Sequence, residues 1–356
     1  MSIAGTPKLS TKAIHNAEAS LAIDTYGGAI IDFRLRDSKI NPLSFRFTQD
    51  QMPVNNKSGA PYQGHFLCLG RWGEPSVGEK KAGIPDHGDF ANRMWACTLS
   101  DQEAMHMHSE SKLEGLKLER TIQMDKSLAL YMVSETVTNI NSLGRLYNMV
   151  QHPTLAAPFL NNNTKIQCNA FKGFHYKNYH DPEKNVSDWP CGVAEDKTIN
   201  DLRFCHKGVS SVFSFIVDHN SRFGWITAYS PDVKLLIGYL WPRKDYPWIN
   251  LWKDWDNGII RYCGLEFGTT GIHQPFLEIL AQGKSTVFNT STFQYIDAFE
   301  GVCRRYLSFL VETQDDFGEI ESVFIRDGSL CIRQNKNDLL MEVKSGMIRS
   351  FDEYPT

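Results

Sequence analysis

Four short segments of the chain combine ionisable side chains with turn-forming glycine or proline and with large aromatic residues. Each segment supplies one group that can carry charge or move a proton: Arg71 in 69–73, His87 in 83–95, His152 in 151–153 and Glu266 in 264–270. An imidazole can be an acid or a base near neutral pH, and a carboxylate can take a proton from a hydroxyl group. These segments predict acid–base chemistry, although a histidine between turn formers is also common as an ordinary loop residue.

Glu266 stands at the end of an apolar, strand-like run, IIRYCGLE, at 259–266. Because side chains alternate along a strand, Glu266 shares one face with Ile260, Tyr262 and Gly264. The small Gly264 leaves room for a ligand beside the carboxylate. Glu266 is therefore the strongest candidate base in the chain, and the alternative is a salt bridge at a sheet edge.

The segment 239–255 is rich in aromatic residues: Trp241, Trp248, Trp252, Trp255, Tyr239 and Tyr246. Sugars bind by placing their apolar faces on aromatic rings, with polar groups at the rim. We expect Trp241 and Trp252 to contribute to such a pocket beside Glu266. Core packing is the alternative for any one of these rings.

Metal and cofactor motifs are weak in this sequence. His106 and His108 would share one strand face, and Asp86, His87 and Asp89 form a second small group, but neither group has a third ligand at a recognisable spacing. No Gly-x-Gly-x-x-Gly and no phosphate-loop motif is present. The sequence therefore predicts no catalytic metal and no cofactor, and the acidic and Asn side chains in its loops leave a Ca²⁺ ion as an open alternative.

Alternation of apolar and polar residues is the strongest structural signal. It predicts a hairpin of strands at 116–124 and 128–137, and a meander of strands at 211–217, 223–229 and 234–241. Other predicted elements are strands at 21–35, 259–266, 286–296, 322–326, 330–333 and 339–343 and a helix at 298–310. Because no β–α–β alternation is present, the pattern is typical of a mainly β, antiparallel protein.

Composition limits the class of protein and its partners. The chain has 356 residues, 42% of them hydrophobic, and 37 basic against 41 acidic side chains give a formal net charge of −4. Such a chain can bury a large core, and it has no basic cluster to follow a nucleic-acid backbone. It lacks an apolar run of about 18 residues, and its first 25 residues lack the features of a signal peptide. We therefore expect a cytoplasmic protein without a nucleic-acid or membrane partner.

No Gly/Ser-rich or Pro-rich linker divides the chain. The sequence predicts one domain over 1–356, with a core at about 20–310 and a C-terminal extension at about 311–356. Three tracts, 50–64, 71–89 and 172–203, are rich in Gly, Pro, Asn and Asp and are long for simple connections. We expect site residues in these loops, since binding residues are often carried by loops on a rigid scaffold.

The order of these features resembles the galactose mutarotase-like superfamily, which contains aldose 1-epimerases and hexose-phosphate mutarotases. That family typically has an Arg beside a Gly, then a His-Gly followed by Arg and Trp, then a His-Pro, and one late Glu on an antiparallel sheet. The corresponding residues here are Gly70 and Arg71, His87 and Gly88 with Arg93 and Trp95, His152 and Pro153, and Glu266. The resemblance implies an antiparallel β-supersandwich of large twisted sheets with few helices.

The resemblance also implies a reaction. Mutarotation moves the anomeric hydroxyl proton to a base and protonates the ring oxygen, so that a sugar ring opens and closes on its other face. In the family pattern, Glu266 as carboxylate is the base and His152 as imidazolium is the acid. The sugar-binding residues are then expected to be His87, Arg71, Arg93, Trp241 and Trp252. The expected function is an aldose 1-epimerase-type isomerase that acts on a small carbohydrate without a cofactor.

Two other functions stay open on the sequence alone. A carbohydrate-binding or sensing protein could keep the cleft without catalysis. A sugar lyase or hydrolase on the same fold would need a second carboxyl group, such as Asp254 or Asp256, facing Glu266. No phosphate-binding cluster selects a phosphorylated sugar.

Overall fold

The computed structural model describes residues 11–99, 101–206, 208–314, 317–335 and 340–354. The first ten residues of the N-terminal segment considered above, and residue 339 of the predicted strand 339–343, lie outside these ranges. The α-helices within the ranges are α1 (Val77–Lys81), α2 (Phe276–Ala281) and α3 (Gly346–Asp352). The strands, in chain order, are β1 (Thr11–His15), β2 (Ala19–Asp24), β3 (Ala29–Leu35), β4 (His65–Gly70), β5 (Ala96–Leu99), β6 (Ala104–Ser111), β7 (Leu116–Met124), β8 (Leu130–Asn139), β9 (Arg145–Ala156), β10 (Lys165–Cys168), β11 (Ala170–His175), β12 (Ser187–Asp188), β13 (Cys191–Val193), β14 (Ile199–Asp201), β15 (Ser211–Val217), β16 (Phe223–Ser230), β17 (Leu235–Pro242), β18 (Trp248–Asp256), β19 (Ile259–Gly268), β20 (Thr286–Val287), β21 (Thr290–Ser291), β22 (Gln294–Ile296), β23 (Gly301–Glu312), β24 (Ile320–Arg326), β25 (Ser329–Gln334) and β26 (Leu340–Lys344).

Two large sheets form the body of the protein. The larger sheet has the order β1-β2-β3-β4-β9-β19-β18-β15-β11-β12, with β22 also paired to β9. The second sheet has the order β10-β16-β17-β23-β8-β7-β6-β5. Neighbouring strands run antiparallel in both sheets. The predicted mainly β, antiparallel fold class is confirmed.

The main core lies between the two sheets, because each sheet presents an apolar face to the other. In β7 burial alternates residue by residue, and the buried apolar side chains are Leu116, Leu118, Ile122 and Met124. They belong to one cluster with residues of the larger sheet such as Leu67. Arg120 shares this face and is also buried, where its Nε donates to Glu135 Oε1 at 2.7 Å. The predicted hairpin of β7 and β8 is confirmed.

The C-terminal extension covers the outer face of the second sheet. Strands β24, β25 and β26 form a separate three-stranded sheet, and α3 follows them. Val323, Ile332 and Phe351 of this unit belong to one apolar cluster with Leu236 of β17 and Leu307 of β23. The second sheet is therefore apolar on both faces at its centre. The single-domain organisation and its internal boundary stay predictions.

The predicted helix at 298–310 is wrong. Residues Gly301–Glu312 form β23, which lies between β8 and β17. Tyr306 and Leu310 belong to the main core, whereas Leu307 and Phe309 belong to the cluster under the C-terminal sheet. A strand that is buried on both faces has apolar residues at both parities, so its sequence imitates the spacing of a helix.

The predicted meander is only partly correct. Strands β16 and β17 pair as a hairpin, but β15 pairs with β11 and β18 in the larger sheet. The segment 218–222 therefore passes from one sheet to the other. The predicted strand at 286–296 is broken, because Phe288 and Asn289 have positive φ angles of 50° and 58° and form a turn between β20 and β21. Alternation identifies a strand, but it does not identify the strand's partner.

Candidate active site

Five neighbouring strands of the larger sheet carry the candidate site on the face that points away from the second sheet. Phe66 of β4 pairs directly with His152 of β9. Glu266 of β19 lies opposite the same histidine in the antiparallel register. Trp252 of β18 and Val212 of β15 pair with each other and extend this face. The sheet therefore brings together side chains that are far apart in sequence.

His152 and Glu266 make a direct polar contact. The distance between His152 Nε2 and Glu266 Oε1 is 3.1 Å. At the other ring nitrogen, His152 Nδ1 lies 2.9 Å from the Thr154 hydroxyl, which donates to the His152 carbonyl oxygen at 3.3 Å. Because this hydroxyl uses its hydrogen on the carbonyl, it accepts the Nδ1–H of the ring. Nε2 is therefore the nitrogen that exchanges a proton with Glu266.

Burial favours the uncharged form of both partners. It raises the pKa of Glu266 well above the ordinary value for glutamate, and the Trp72 side chain opposes part of this rise. Burial also lowers the pKa of His152 to about 3. These directions place the shared proton on Glu266 in the resting protein. The family resemblance implied the opposite charges, a carboxylate on Glu266 and an imidazolium on His152.

A cavity of about 260 Å³ lies over this pair. Its apolar walls are formed by Phe45, Phe47, Pro53, Tyr62, Phe66, Trp72, Val212 and Trp252. Its polar lining consists of Gln51, His87, His152, Glu266 and His273. Phe66 stacks on the His152 ring, with 4.2 Å between the ring centroids. Such a site can move protons on a bound molecule while its aromatic walls pack against apolar faces of that molecule.

His87 reaches the cavity from the loop tract 71–89. Its backbone has a positive φ of 59°, and its Nδ1 accepts the Gly73 N–H at 3.2 Å. With Nδ1 as acceptor, the neutral ring carries its hydrogen on Nε2. Burial lowers the pKa of His87 well below its ordinary value, and its ring centroid lies 5.9 Å from that of His152. His87 is therefore a neutral hydrogen-bond donor beside the catalytic candidates.

The sequence analysis missed His273. This residue lines the cavity, and its ring packs edge-on against Trp72 with 4.8 Å between centroids. Burial lowers the pKa of His273 to about 4. The signal was present in the sequence, since His273 lies between Gly271 and Pro275 just after the Glu266 strand. The same turn-forming context had singled out His87.

Of the two tryptophans predicted to bind the sugar, Trp252 lines the cavity and Trp241 does not. Trp241 lies in the main core, where it stacks on Phe267 with 4.2 Å between centroids. Its Nε1 donates to the Tyr246 carbonyl oxygen at 2.7 Å. Because the ring and its N–H are both used in the core, the expectation for Trp241 is corrected to core packing.

Two arginines expected at the cavity point elsewhere. Arg71 is buried, with Nη1 2.7 Å from Glu79 and Nη2 3.2 Å from Glu114. Arg93 lies 2.6 Å from Asp89, and its side chain is 37% exposed. Neither arginine lines the cavity. Their charges are balanced by neighbouring carboxylates, and the expectation that they bind the sugar is corrected.

Neither a second carboxyl group nor a metal cluster accompanies Glu266 in the described part of the chain. Asp254 lies 2.7 Å from Arg261, and the exposed Asp256 lies 3.9 Å from the same arginine, both outside the cavity. No group of three or more His, Cys, Asp or Glu side chains among the described residues is arranged to hold a metal ion. A two-carboxylate hydrolase mechanism therefore finds no second partner here.

Many solved structures match this arrangement of sheets. A protein from Synechocystis sp. PCC 6803 is 12% identical, with a TM-score of 0.60 over 88% of this chain and 99% of that one. The galactose mutarotase-related enzyme from Lactobacillus acidophilus is 11% identical, with a TM-score of 0.59 over 87% of this chain and 100% of that one. A galactose mutarotase-like protein from Lactobacillus casei ATCC 334 is 14% identical, with a TM-score of 0.59 over 85% of this chain and 100% of that one.

These matches establish the fold. The chain has the galactose mutarotase-like fold, as the sequence resemblance predicted. No protein-family model and no curated protein matches the chain. None of the helices in the described ranges is long and apolar enough to cross a membrane.

Proposed function

We propose that the protein is an isomerase of the aldose 1-epimerase type, which interconverts the two anomers of a small sugar. The observation that carries this proposal is the 3.1 Å contact between Glu266 Oε1 and His152 Nε2 inside an aromatic-walled cavity. The mutarotase-related enzyme with the same fold supports the type of reaction.

Anomer exchange is a proton-transfer reaction. One proton leaves the anomeric hydroxyl, one proton arrives at the ring oxygen, and the bond between C1 and the ring oxygen breaks to give an open-chain aldehyde. Rotation about the C1–C2 bond presents the other face of the aldehyde, and the reverse transfers close the ring. The reaction needs one acid and one base side by side, and it needs no change in oxidation state.

His152 and Glu266 can supply both groups with the single proton that they share. Glu266, which is protonated because burial raises its pKa, gives its proton to the ring oxygen. Neutral His152 takes the anomeric hydroxyl proton on Nε2. The pair is then an imidazolium beside a carboxylate, and the attraction between opposite charges stabilises it. Ring closure reverses the transfers and restores the neutral pair.

Neighbouring residues would hold the sugar and the catalytic ring in place. Thr154 fixes the tautomer of His152 through its contact with Nδ1. His87 can donate its Nε2–H to a sugar hydroxyl, and Trp252 can pack against an apolar face of the sugar ring. Oε2 of Glu266 is buried and has no hydrogen-bond partner among the described residues, so it can accept a hydrogen bond from the sugar.

The test is the rate of anomer exchange, followed by polarimetry or exchange NMR, on a panel of freshly dissolved aldoses. The wild type should exceed the spontaneous rate, and Glu266→Gln should be slower by a factor of about 10² to 10⁴ while sugar binding is kept. Glu321 is exposed on β24, so Glu321→Gln is the matched control and should behave as the wild type. Sugar binding without catalysed exchange by the wild type would contradict the proposal and favour a carbohydrate-binding protein.

A further inference from the structure

Among the residues that the structure describes, the cavity lining contains no lysine or arginine and therefore no permanent positive charge. Its ionisable groups among the described residues are Glu266, the phenol of Tyr62 and three histidines, His87, His152 and His273. Burial lowers the pKa of each histidine, to about 3 for His152 and about 4 for His273, so the rings are neutral near pH 7. A phosphate or carboxylate on a bound sugar would lose its water without gaining a cation, which disfavours its binding.

Three cations that lie near cavity residues in the sequence are committed elsewhere. Arg71 and Arg93 are held by carboxylates, as described above. Lys253 follows Trp252 on β18 and points to the opposite face of the sheet. There its Nζ donates to two backbone carbonyls, at 2.8 Å and 2.7 Å. A charged sugar therefore has no counter-ion among these three side chains.

One side of the cavity is an aromatic wall, formed by Phe45, Phe47 and Trp252. Phe45 and Phe47 pack edge to face with 4.9 Å between their centroids. The rings of Phe47 and Trp252 are 6.3 Å apart and also meet edge to face. The two phenyl rings of this wall accept C–H groups and offer no hydrogen-bond donor or acceptor to a hydroxyl, whereas Trp252 carries one donor, its indole N–H.

Two oxygen atoms next to this wall are already used. The Tyr62 hydroxyl donates to the Asp86 carbonyl oxygen at 2.7 Å. Gln51 Oε1 accepts from the backbone N–H and the hydroxyl of Thr48, at 2.8 Å and 2.9 Å. A sugar hydroxyl that faces the phenyl rings of the wall would therefore find no hydrogen-bond partner on those rings.

We propose that the substrate of this site, if the isomerase function above is correct, is an uncharged deoxy aldose whose deoxygenated carbon packs against the phenyl rings of the aromatic wall. A carbon without a hydroxyl leaves no polar group unpaired at these rings. The remaining hydroxyls and the ring oxygen are served by Glu266, His152, His87 and His273. Fully hydroxylated aldoses bind less well because they bring a hydroxyl that the phenyl rings do not satisfy, and phosphorylated aldoses bind less well because the lining offers them no cation.

The test uses matched sugars: glucose and galactose, their 2-, 4- and 6-deoxy analogues, and their 6-phosphates. Anomer exchange is measured with the wild type, and binding is measured with Glu266→Gln by NMR saturation transfer. We expect at least one deoxy analogue to exceed its parent by about 10-fold or more in kcat/KM and in affinity, with no binding of the phosphates. The proposal is overturned if each parent equals or exceeds its deoxy analogues, or if a phosphate binds best.

The binding arm separates this proposal from the proposed function. If the protein catalyses no anomer exchange but a deoxy analogue still binds best, the isomerase function is wrong. The preference for deoxy sugars then holds for binding alone. If exchange occurs with a parent hexose preferred, the isomerase function stands and the substrate class fails. If no sugar binds, both fail.

A variant of the wall provides a second test. Phe47 is half-buried at the cavity, so Phe47→Gln should fold and would add amide groups to the wall. The preference for the deoxy analogue should then fall to about threefold or less. Phe171 is 45% exposed and does not line the cavity, so Phe171→Gln is the matched control and should keep the full preference. An unchanged preference in a folded Phe47→Gln protein would contradict the role of the wall.

Discussion

The Thr154 hydroxyl lies 2.9 Å from His152 Nδ1, at the ring nitrogen that does not face Glu266. Both residues are buried on β9, two positions apart. Residues two apart in a strand share a face, so the sequence His-Pro-Thr itself places the hydroxyl beside the imidazole. A local contact therefore decides which nitrogen of His152 faces Glu266.

This contact makes Thr154 a positioning residue, and its removal should slow anomer exchange. Thr154→Val loses the acceptor for the Nδ1–H, so the ring loses its fixed tautomer and exchange should fall by a factor on the order of 10 to 100. Thr154→Ser keeps the hydroxyl and should restore most of the rate. Nitrogen-15 NMR of His152 should show a changed tautomer in the valine variant only. Equal exchange rates in Thr154→Val and the wild type would remove this role.

The proton placement in the pair can be observed directly. Because burial lowers the pKa of His152 to about 3, its ring should be neutral at pH 7, with hydrogen on Nδ1. Exchange activity should rise with pH through the low pKa of His152 and fall where Glu266 loses its proton. The nitrogen-15 chemical shifts of His152, assigned by comparison with His152→Asn, test the charge. Imidazolium shifts at pH 7 would contradict a resting proton on Glu266.

The raised pKa of Glu266 also predicts a stability cost. An unfolded glutamate loses its proton near pH 4.3, whereas the folded protein keeps it to higher pH. The free energy of unfolding should therefore fall as pH rises from about 4.3 to the folded pKa. Glu266→Gln removes this loss. The free energy of unfolding of the variant, relative to that of the wild type, should therefore rise by up to about 1.4 kcal/mol per pH unit in that range.

Denaturant unfolding at several pH values measures the difference in free energy of unfolding between Glu266→Gln and the wild type. Glu321→Gln, at an exposed position, should show a pH dependence parallel to that of the wild type. A difference between Glu266→Gln and wild type that stays constant with pH would mean that the pKa of Glu266 is the same in the folded and unfolded states.

The two tryptophans should respond differently to the same substitution. Trp241→Phe leaves a gap in the core and should lower the free energy of unfolding by about 1–3 kcal/mol with little change in sugar affinity. Trp252→Phe reduces a wall of the cavity and should weaken sugar binding by roughly 3- to 10-fold with a smaller effect on stability. Thermal unfolding and sugar titration of both variants give the comparison. Weaker sugar binding in Trp241→Phe, with a loss of stability alone in Trp252→Phe, would mean that Trp241 and not Trp252 contacts the sugar.

The strands could be predicted from the sequence wherever one of their two faces is exposed to solvent. The alternation in β7 arises because its outward residues meet solvent while Leu118 and Ile122 enter the core. It is absent from β23, where the C-terminal sheet covers the outer face and Leu307 is as buried as Tyr306. The C-terminal sheet and β23 meet through contacts between segments that are distant in sequence, and local periodicity does not indicate such contacts.

The candidate site could be predicted in part for a similar reason. His152 and Glu266 were found because each stands in a distinctive local context, and the sheet register then brings them together. Arg71 was misplaced because it is held between two carboxylates, Glu79 and Glu114, and no local pattern shows the ion pair with Glu114, which is 43 positions away in sequence. A cytoplasmic location stays a prediction from the sequence.

In the proposed mechanism, His152 and Glu266 act as one unit through a shared proton. The anomer-exchange rates of Glu266→Gln, His152→Asn and the double variant on the best substrate show whether the two residues act together. Each single variant should lose a factor of about 10² or more, and the double variant should lose little beyond the slower single variant, because residues that act as a unit are not additive. Wild-type exchange in either single variant, or losses that multiply in the double variant, would contradict the account.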